Sequence, residues 1–401
     1  MPTPSHTLDY TLVHEKTAQA IECLRELNLG AWLLMGRETL EMADPSLSLV
    51  TGTTVTWISA FVIPAQGEKT AIVGTYDVPN LQNSGNFERV LDYVGSPKDA
   101  LLDTLRRTDP QSIAINISKS DKMADGLTTG LYLKLLEYLE GTPYAERLVP
   151  SDRLVSAVRG RKSQAEINRM RGAIATTLGI FDQVAAYIKP GQTEAEIHRF
   201  VTDIVEGKGL TMAWDPEYCP TVHNGARPIG HTTAGEYEVT PGTIVHMDLG
   251  VKQDGYCSDL QRVWYVSRGP GDMPPAELTR AFETVVTAIQ ESSKALKPGI
   301  AGWEVDAIAR KICTDAGYPE YLHALGHHVG RAVHDGAGIL GPRWERYGDT
   351  PYYPVEVGNV FTLELGVEVP GIGYVGLEED VLVTENGVEW LAPPQTELMV
   401  V

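Results

Sequence analysis

Asp248 and Asp259 lie eleven residues apart in a stretch, Thr243 to Trp264, that reads as a β-hairpin. Asp254-Gly255 supplies the turn, because both positions tolerate the positive φ of a type I′ loop. With those two in the loop, Gln253 pairs with Tyr256 and Gly250 lies opposite Asp259. Side chains alternate along a strand, so Asp248, Gly250 and Asp259 share one face. The aspartates are then diagonal neighbours about 7–8 Å apart at the backbone, and Gly250 leaves the gap between them open. Two anions placed this way repel unless a cation sits between them.

Further chemistry lies downstream. His323, His327, His328 and His334 put four of the chain's ten histidines into twelve residues. Gly326 and Gly330 interrupt a helix there, which indicates a loop or strand edge, and clustered imidazoles in an acidic chain suit metal binding or catalysis. Val360 to Val369 alternates: Phe361, Leu363, Leu365 and Val367 face one way, and Thr362, Glu364, Gly366 and Glu368 the other. A carboxylate such as Glu364 on a central strand requires a positive partner when buried. In Tyr374 to Thr384, Glu378 shares a face with Tyr374, Gly376 and Asp380, whereas Glu379 goes with Val375, Leu377 and Val381. Glu378 is taken as the inward carboxylate, with Glu379 as the alternative.

The elements that must hold these groups are α/β in pattern. His14–Leu29 and Leu131–Leu139 have helical periodicity, and Val55–Ile63 and Ile113–Ile117 read as strands. No catalytic constellation is visible before residue 150. Val155 to Tyr187 reads as one or two long helices leading into a second domain. Ile188-Lys-Pro-Gly is then echoed 108 positions later by Leu296-Lys-Pro-Gly, each followed by an amphipathic helix ending near a glycine, Gly209 or Gly317. The echo implies two related halves with a site between them.

With 401 residues the chain has room for two domains, and 43% hydrophobic and 21% charged residues describe an ordinary globular protein. A net charge of −20 argues against nucleic acid and anionic membrane surfaces as partners. No run of about 18 apolar residues offers a membrane span, and from the polar first twenty residues no secretory leader is expected. Four scattered cysteines without a C-x-x-C pair suit reduced thiols, so a cytoplasmic location is expected.

Taken in order, the two aspartates, the glycine- and histidine-rich segment and the two strand glutamates resemble the pita-bread metallopeptidases, in the branch of prolidase and aminopeptidase P. The resemblance is strong over about residues 155–395 and weaker before them. It implies an α/β (α+β) fold: an N-terminal creatinase-like α/β domain over 1–152, and a C-terminal catalytic pita-bread domain of pseudo-two-fold halves over 153–401. By position, Asp248, Asp259, His327, Glu364 and Glu378 are similar to the family's five metal ligands, with Asp259 and Glu378 bridging. His231, His323 and His334 match its active-site histidines, and Glu364 is expected to relay the proton. The resemblance implies two divalent ions, Mn²⁺ first with Co²⁺ or Zn²⁺ as alternatives, activating a bridging hydroxide. It further implies hydrolysis of Xaa-Pro dipeptides and a homodimer. Longer Xaa-Pro peptides, another small amide, or a catalytically dead peptide-binding module are the alternatives. Two departures stand out. The family usually carries an arginine two residues before its last metal glutamate, where this chain has Gly376. It often has glycine where this chain has His328, a change expected to reshape one wall of the pocket.

Overall fold

The computed structural model describes residues 10–39, 43–227, 230, 232–336 and 338–401. The chain divides into two compact units, Met1–Arg159 and Gly160–Val401. In the first, β1 (Ala31–Gly36), β2 (Ser59–Pro64), β3 (Thr70–Gly74), β4 (Arg89–Tyr93), β5 (Ile113–Ile115) and β6 (Leu148–Pro150) form a mixed sheet in the order β4-β3-β2-β1-β5-β6. Strands β1 to β3 are buried along their whole length, as strands covered on both faces are. Leu101, Leu105, Leu131 and Leu135 from helices Lys98–Thr108 and Thr129–Leu139 join Leu33, Val62 and Ile72 in one core. The strand expected from Val55 begins only at Ser59, and Trp57 just before it is exposed.

The long helical stretch is two helices: Asp152–Gly160, which ends the first unit, and Gln164–Tyr187 in the second. Ser163 separates them by capping the second, with Glu166 completing a capping box. The repeated Lys-Pro-Gly segments take matching structures. Gly191 and Gly299 have φ of 85° and 91°, and helices Glu194–Gly207 and Gly302–Asp315 follow. The Gly191 and Gly299 N–H groups donate to Val239 O and Val355 O at 2.9 and 2.8 Å. Glu196 and Glu304 accept the N–H of Thr193 and of Ala301, both at 2.9 Å.

The strands of this unit are β7 (Thr211–Met212), β8 (Thr221–Asn224), β9 (Ile244–Leu249), β10 (Val251–Gln253), β11 (Tyr256–Cys257), β12 (Leu260–Tyr265), β13 (Gly326–His327), β14 (Ile339–Leu340), β15 (Val360–Val369), β16 (Gly373–Thr384), β17 (Gly387–Trp390) and β18 (Met399–Val400). The main sheet runs β15-β16-β12-β9-β8, with β17 on β16 and β18 on β12. Phe361, Leu363, Leu365, Val375, Leu377 and Val381 cover one face. They pack on Leu278, Phe282 and Val285 of helix Ala276–Ala295, and on Val305 and Ala309 of Gly302–Asp315. The face left to the other side chains carries the chemistry. Directly paired residues cross it as Thr221, Asp248, Gln261, Glu378 and Glu364, one from each strand in turn.

Candidate metal centre

The hairpin has the expected register: Gln253 pairs with Tyr256, and Leu249 and Asp248 with Leu260 and Gln261. Asp254 and Gly255 take φ of 50° and 80°, as a type I′ turn requires. The open gap at Gly250 is not found. A Cβ there would lie 2.3 Å from Ser258 O and 2.8 Å from both Ala213 and Trp214. Glycine at this position therefore permits close backbone approach where the hairpin passes from one sheet to the next; it does not leave room for an ion.

His327 reaches the cluster because β13 lies against β15. The His327 N–H donates to Thr362 Oγ1 at 3.1 Å, and the Glu364 N–H donates to Leu325 O at 2.7 Å. The loop before β13 is pinned from helix Gly302–Asp315. Asp306 accepts the Leu325 N–H, and Arg310, paired with Asp306, donates to the carbonyls of Tyr321 and His323. His327 Nδ1 lies 3.3 Å from the His328 carbonyl, which can only accept, so Nδ1 carries the proton and Nε2 offers its lone pair. Nε2 lies 3.5 Å from Asp259 Oδ2, 3.4 Å from Glu364 Oε1 and 3.9 Å from Glu378 Oε1. One ligand atom each from Asp259, His327 and Glu378 falls within 4.8 Å of the others.

These are all acceptors turned toward one another, and among the described residues no lysine or arginine pairs with them. Asp248 Oδ1, Glu378 Oε1 and Asp380 Oδ1 are buried without a hydrogen-bond partner. Burial raises the Asp248 carboxyl to about 7. Burial, then the Asp248 charge, raises Glu364 to about 8. Asp259 and Glu378 stand well above the usual carboxylate range, through burial first and neighbouring carboxylates next. Hard oxygen donors with one imidazole, orphaned and mutually repelling, fit divalent cations such as Mn²⁺, Co²⁺ or Zn²⁺.

The other sequence-derived candidates are placed as follows. The His334 ring is exposed and lies 4.3 Å from that of His327. His323 is half-buried, packs on Tyr321 and hydrogen-bonds the Ala324 carbonyl through Nδ1. His231 lies outside the described residues. Glu379, the alternative to Glu378, turns to the opposite face and pairs with Arg262. His328 does not line the pocket. Its ring is buried 4.1 Å from that of Phe361, on the core side of β15 and away from Glu364, and burial lowers it to about 3.

Sequence reasoning missed two participants. Gln261 Nε2 donates to Glu378 Oε2 at 2.9 Å and approaches Glu364 Oε2 at 3.4 Å, while His246 Nε2 holds Gln261 Oε1 at 2.9 Å. Both were within reach of the two-residue period, which places His246 beside Asp248 and Gln261 beside Asp259 on the same face. They also explain Gly376. A Cβ there would meet Tyr374, His246 Nε2 and Gln261 Oε1 at 2.6, 2.7 and 2.9 Å, so these side chains fill the ground an arginine would need.

Solved structures named as peptidases share this architecture. An Xaa-Pro dipeptidase from Bacillus anthracis superposes with a TM-score of 0.74 at 24% identity, covering 97% of this chain and all of that one. The dipeptidase PepE from Mycobacterium ulcerans gives 0.75 at 23%, covering 98% and 99%. At these identities the likeness establishes the fold. In sequence, an uncharacterized peptidase of Staphylococcus saprophyticus is 33% identical over 242 residues, 60% of this chain and 65% of that protein. The match therefore spans a little under two thirds of that relative. The model of metallopeptidase family M24 matches residues 168–385, more than half of the chain and a span that holds Asp248, Asp259, His327, Glu364 and Glu378. The chain belongs to metallopeptidase family M24.

Proposed function

We propose that this protein is a divalent-metal-dependent peptidase that cleaves Xaa-Pro bonds, with dipeptides as its preferred substrates. The observation that carries the reading is the convergence of Asp259, His327, Glu364 and Glu378 as unneutralised acceptors on one sheet face. Asp248, paired across Gln261 from Glu378, completes the ligand set. Bound ions would supply an activated water and polarise the scissile carbonyl. The side chains do the rest. Glu364 is 19% exposed, against 6% for Asp259 and 2% for Glu378, so it is better placed to take a proton from water and return it to the leaving amine. His334, at the rim beside His327, donates to the substrate carbonyl oxygen as charge develops there. His231 and His323 orient the peptide, as in the family the sequence resembles. The Xaa-Pro preference is supported by the names of the solved neighbours. A homodimer is part of the same reading.

The decisive assay compares an Xaa-Pro dipeptide with the matched Xaa-Pro tripeptide, using Mn²⁺-loaded protein and a chelated control. Chelator-sensitive cleavage of the dipeptide alone is the expected result. Cleavage of the tripeptide instead would make the protein an aminopeptidase. A second reading, a hydrolase of another small amide, has one observation in its favour: Tyr374, His246 and Gln261 occupy the region over Gly376. Inactivity on both peptides with metal bound would select it. His334→Ala is expected to lower kcat about 100-fold or more and to leave bound metal unchanged by elemental analysis. Loss of metal in that variant would make His334 a ligand.

A further inference from the structure

We propose that Tyr374 is a specificity-determining residue that ends the substrate site: its hydroxyl binds the terminal carboxyl of the leaving residue, and its ring blocks anything longer. This rests on the Xaa-Pro reading above and deepens it. On the cluster face of the sheet, β15 and β16 pair Glu364 with Glu378, Gly366 with Gly376, and Glu368 with Tyr374. The Tyr374 ring does not stand up from its own pair. It leans along the sheet, across the two glycines and toward the glutamates. A Cβ at Gly366 would lie 2.3 Å from Tyr374 Cζ and 2.5 Å from the hydroxyl oxygen, and one at Gly376 would lie 2.6 Å from Cε1. Both positions must be glycine for the ring to lie there, the close approach that glycine inside a strand commonly marks. The His246 ring braces it edge-on, with ring centres 5.4 Å apart.

The hydroxyl is a donor without a protein acceptor. Among the described residues none hydrogen-bonds it, and the residue is part-exposed. Burial, then the charge of Glu364, raises the phenol above its ordinary range, so it stays protonated and neutral. A ring that only filled the space over two glycines would need no hydroxyl, and a tyrosine O–H drawn into the interior ordinarily finds a partner. Here the substrate supplies that partner.

The place of the hydroxyl selects the substrate group. Gly366 follows Glu364 by two residues on the same face, about 7 Å along the strand. Glu364 is the residue that returns the proton to the leaving amine. The carboxyl carbon of a leaving residue is two bonds from that nitrogen, so a residue protonated at Glu364 reaches the hydroxyl over Gly366 with its terminal carboxyl. The phenol O–H donates to either carboxyl oxygen. The ring behind it fills the row along which a longer peptide would continue, so a dipeptide fits and a tripeptide meets Cε1 and Cζ.

Steady-state kinetics on an Xaa-Pro dipeptide and the matched tripeptide, with bound Mn²⁺ counted in each variant, test this. Tyr374→Phe keeps the ring and removes the donor. It should raise KM for the dipeptide about tenfold and change kcat less than about threefold. It should also weaken the binding of free proline, measured by calorimetry, by a similar factor. Tyr374→Ala opens the row and should raise kcat/KM for the tripeptide at least about tenfold, a gain that damage to the fold does not mimic. Bound Mn²⁺ should be unchanged in both variants. Tripeptide cleavage by the wild-type protein, an unchanged dipeptide KM in Tyr374→Phe, or no gain on the tripeptide in Tyr374→Ala would overturn the proposal and leave the metallopeptidase reading in place. Failure of the wild-type protein on both peptides with Mn²⁺ bound would overturn the Xaa-Pro reading, and this assignment with it.

Discussion

Asp259→Asn is expected to abolish both Mn²⁺ binding and peptide hydrolysis, and yet to melt higher than the wild-type protein in chelator at pH 8. Asp259 is almost completely buried and its Oδ2 is 3.5 Å from His327 Nε2. Its near neighbours Asp248, Glu364 and Asp380 are like charges that raise it after burial has done so. Asparagine keeps the shape but removes a charge, so no ion is held at the converging end. The sign of the stability effect follows from linkage. The folded-state values of about 7 for Asp248 and about 8 for Glu364 lie above the unfolded ones, which are about 4. Groups raised in this way keep their protons in the folded chain after the unfolded chain has released them. Without metal, stability therefore falls as pH rises from about 4 through about 8. The variant has one repelling charge fewer and falls less. The gap in melting temperature should be widest at pH 8 and close toward pH 5, and saturating Mn²⁺ should raise the wild-type protein alone. A variant that still binds Mn²⁺ normally would remove Asp259 from the centre. One that melts below wild type in chelator at pH 8 would mean that a cation already pairs with it.

Much of the centre could be read from strand periodicity, because alternation is a local property. A turn dipeptide and a two-residue period place Asp248 and Asp259 on one face with no knowledge of the rest of the fold. The same period separates Glu378 from Glu379, and the structure turns one to the cluster and the other to Arg262. The readings that failed depended on what lies across from a residue. Gly250 looked like open space because it carries no side chain, but Trp214 and the Ser258 carbonyl close it from other segments. His328 was expected at a pocket wall because it stands where the family often has glycine. A strand edge turns consecutive side chains to opposite faces, so it went to the core beside Phe361. His246 and Gln261 were legible by position and overlooked by type: a search for charged ligands passes over a neutral imidazole and an amide, and their importance lies in the contact they make with each other. In the first unit β1 to β3 are buried on both faces, and its described strands carry no comparable polar row, which is why only its class could be read.

Arg262→Met is expected to destabilise the protein by about 3–5 kcal/mol, the usual consequence of stranding one partner of a buried ion pair. Arg262 and Glu379 are 4% and 2% exposed, and two parallel hydrogen bonds of 3.0 Å join them. Arg262 also donates to the Gln261 and Glu378 carbonyls, at 2.8 and 3.2 Å, and so ties β12 to β16 directly behind the side chains that face the cluster. Its guanidinium sits 5.6 Å from the ring of Phe181. Even with this partner, burial holds Glu379 up at about 6, so the charge is poorly solvated. Without Arg262, the Gln395 N–H at 2.8 Å still reaches the carboxylate, but no cation balances it. Urea unfolding in chelator isolates the effect from metal binding. Adding Glu379→Leu to Arg262→Met removes the stranded carboxylate, and the double variant should recover more than half of the loss. If the double variant is no more stable than the single, the loss comes from packing around Phe181. If the single variant loses less than about 1 kcal/mol, the range of an exposed pair, the pair does not fasten β12 to β16, and the alignment of Gln261 with Glu378 must be set by the backbone ladder alone.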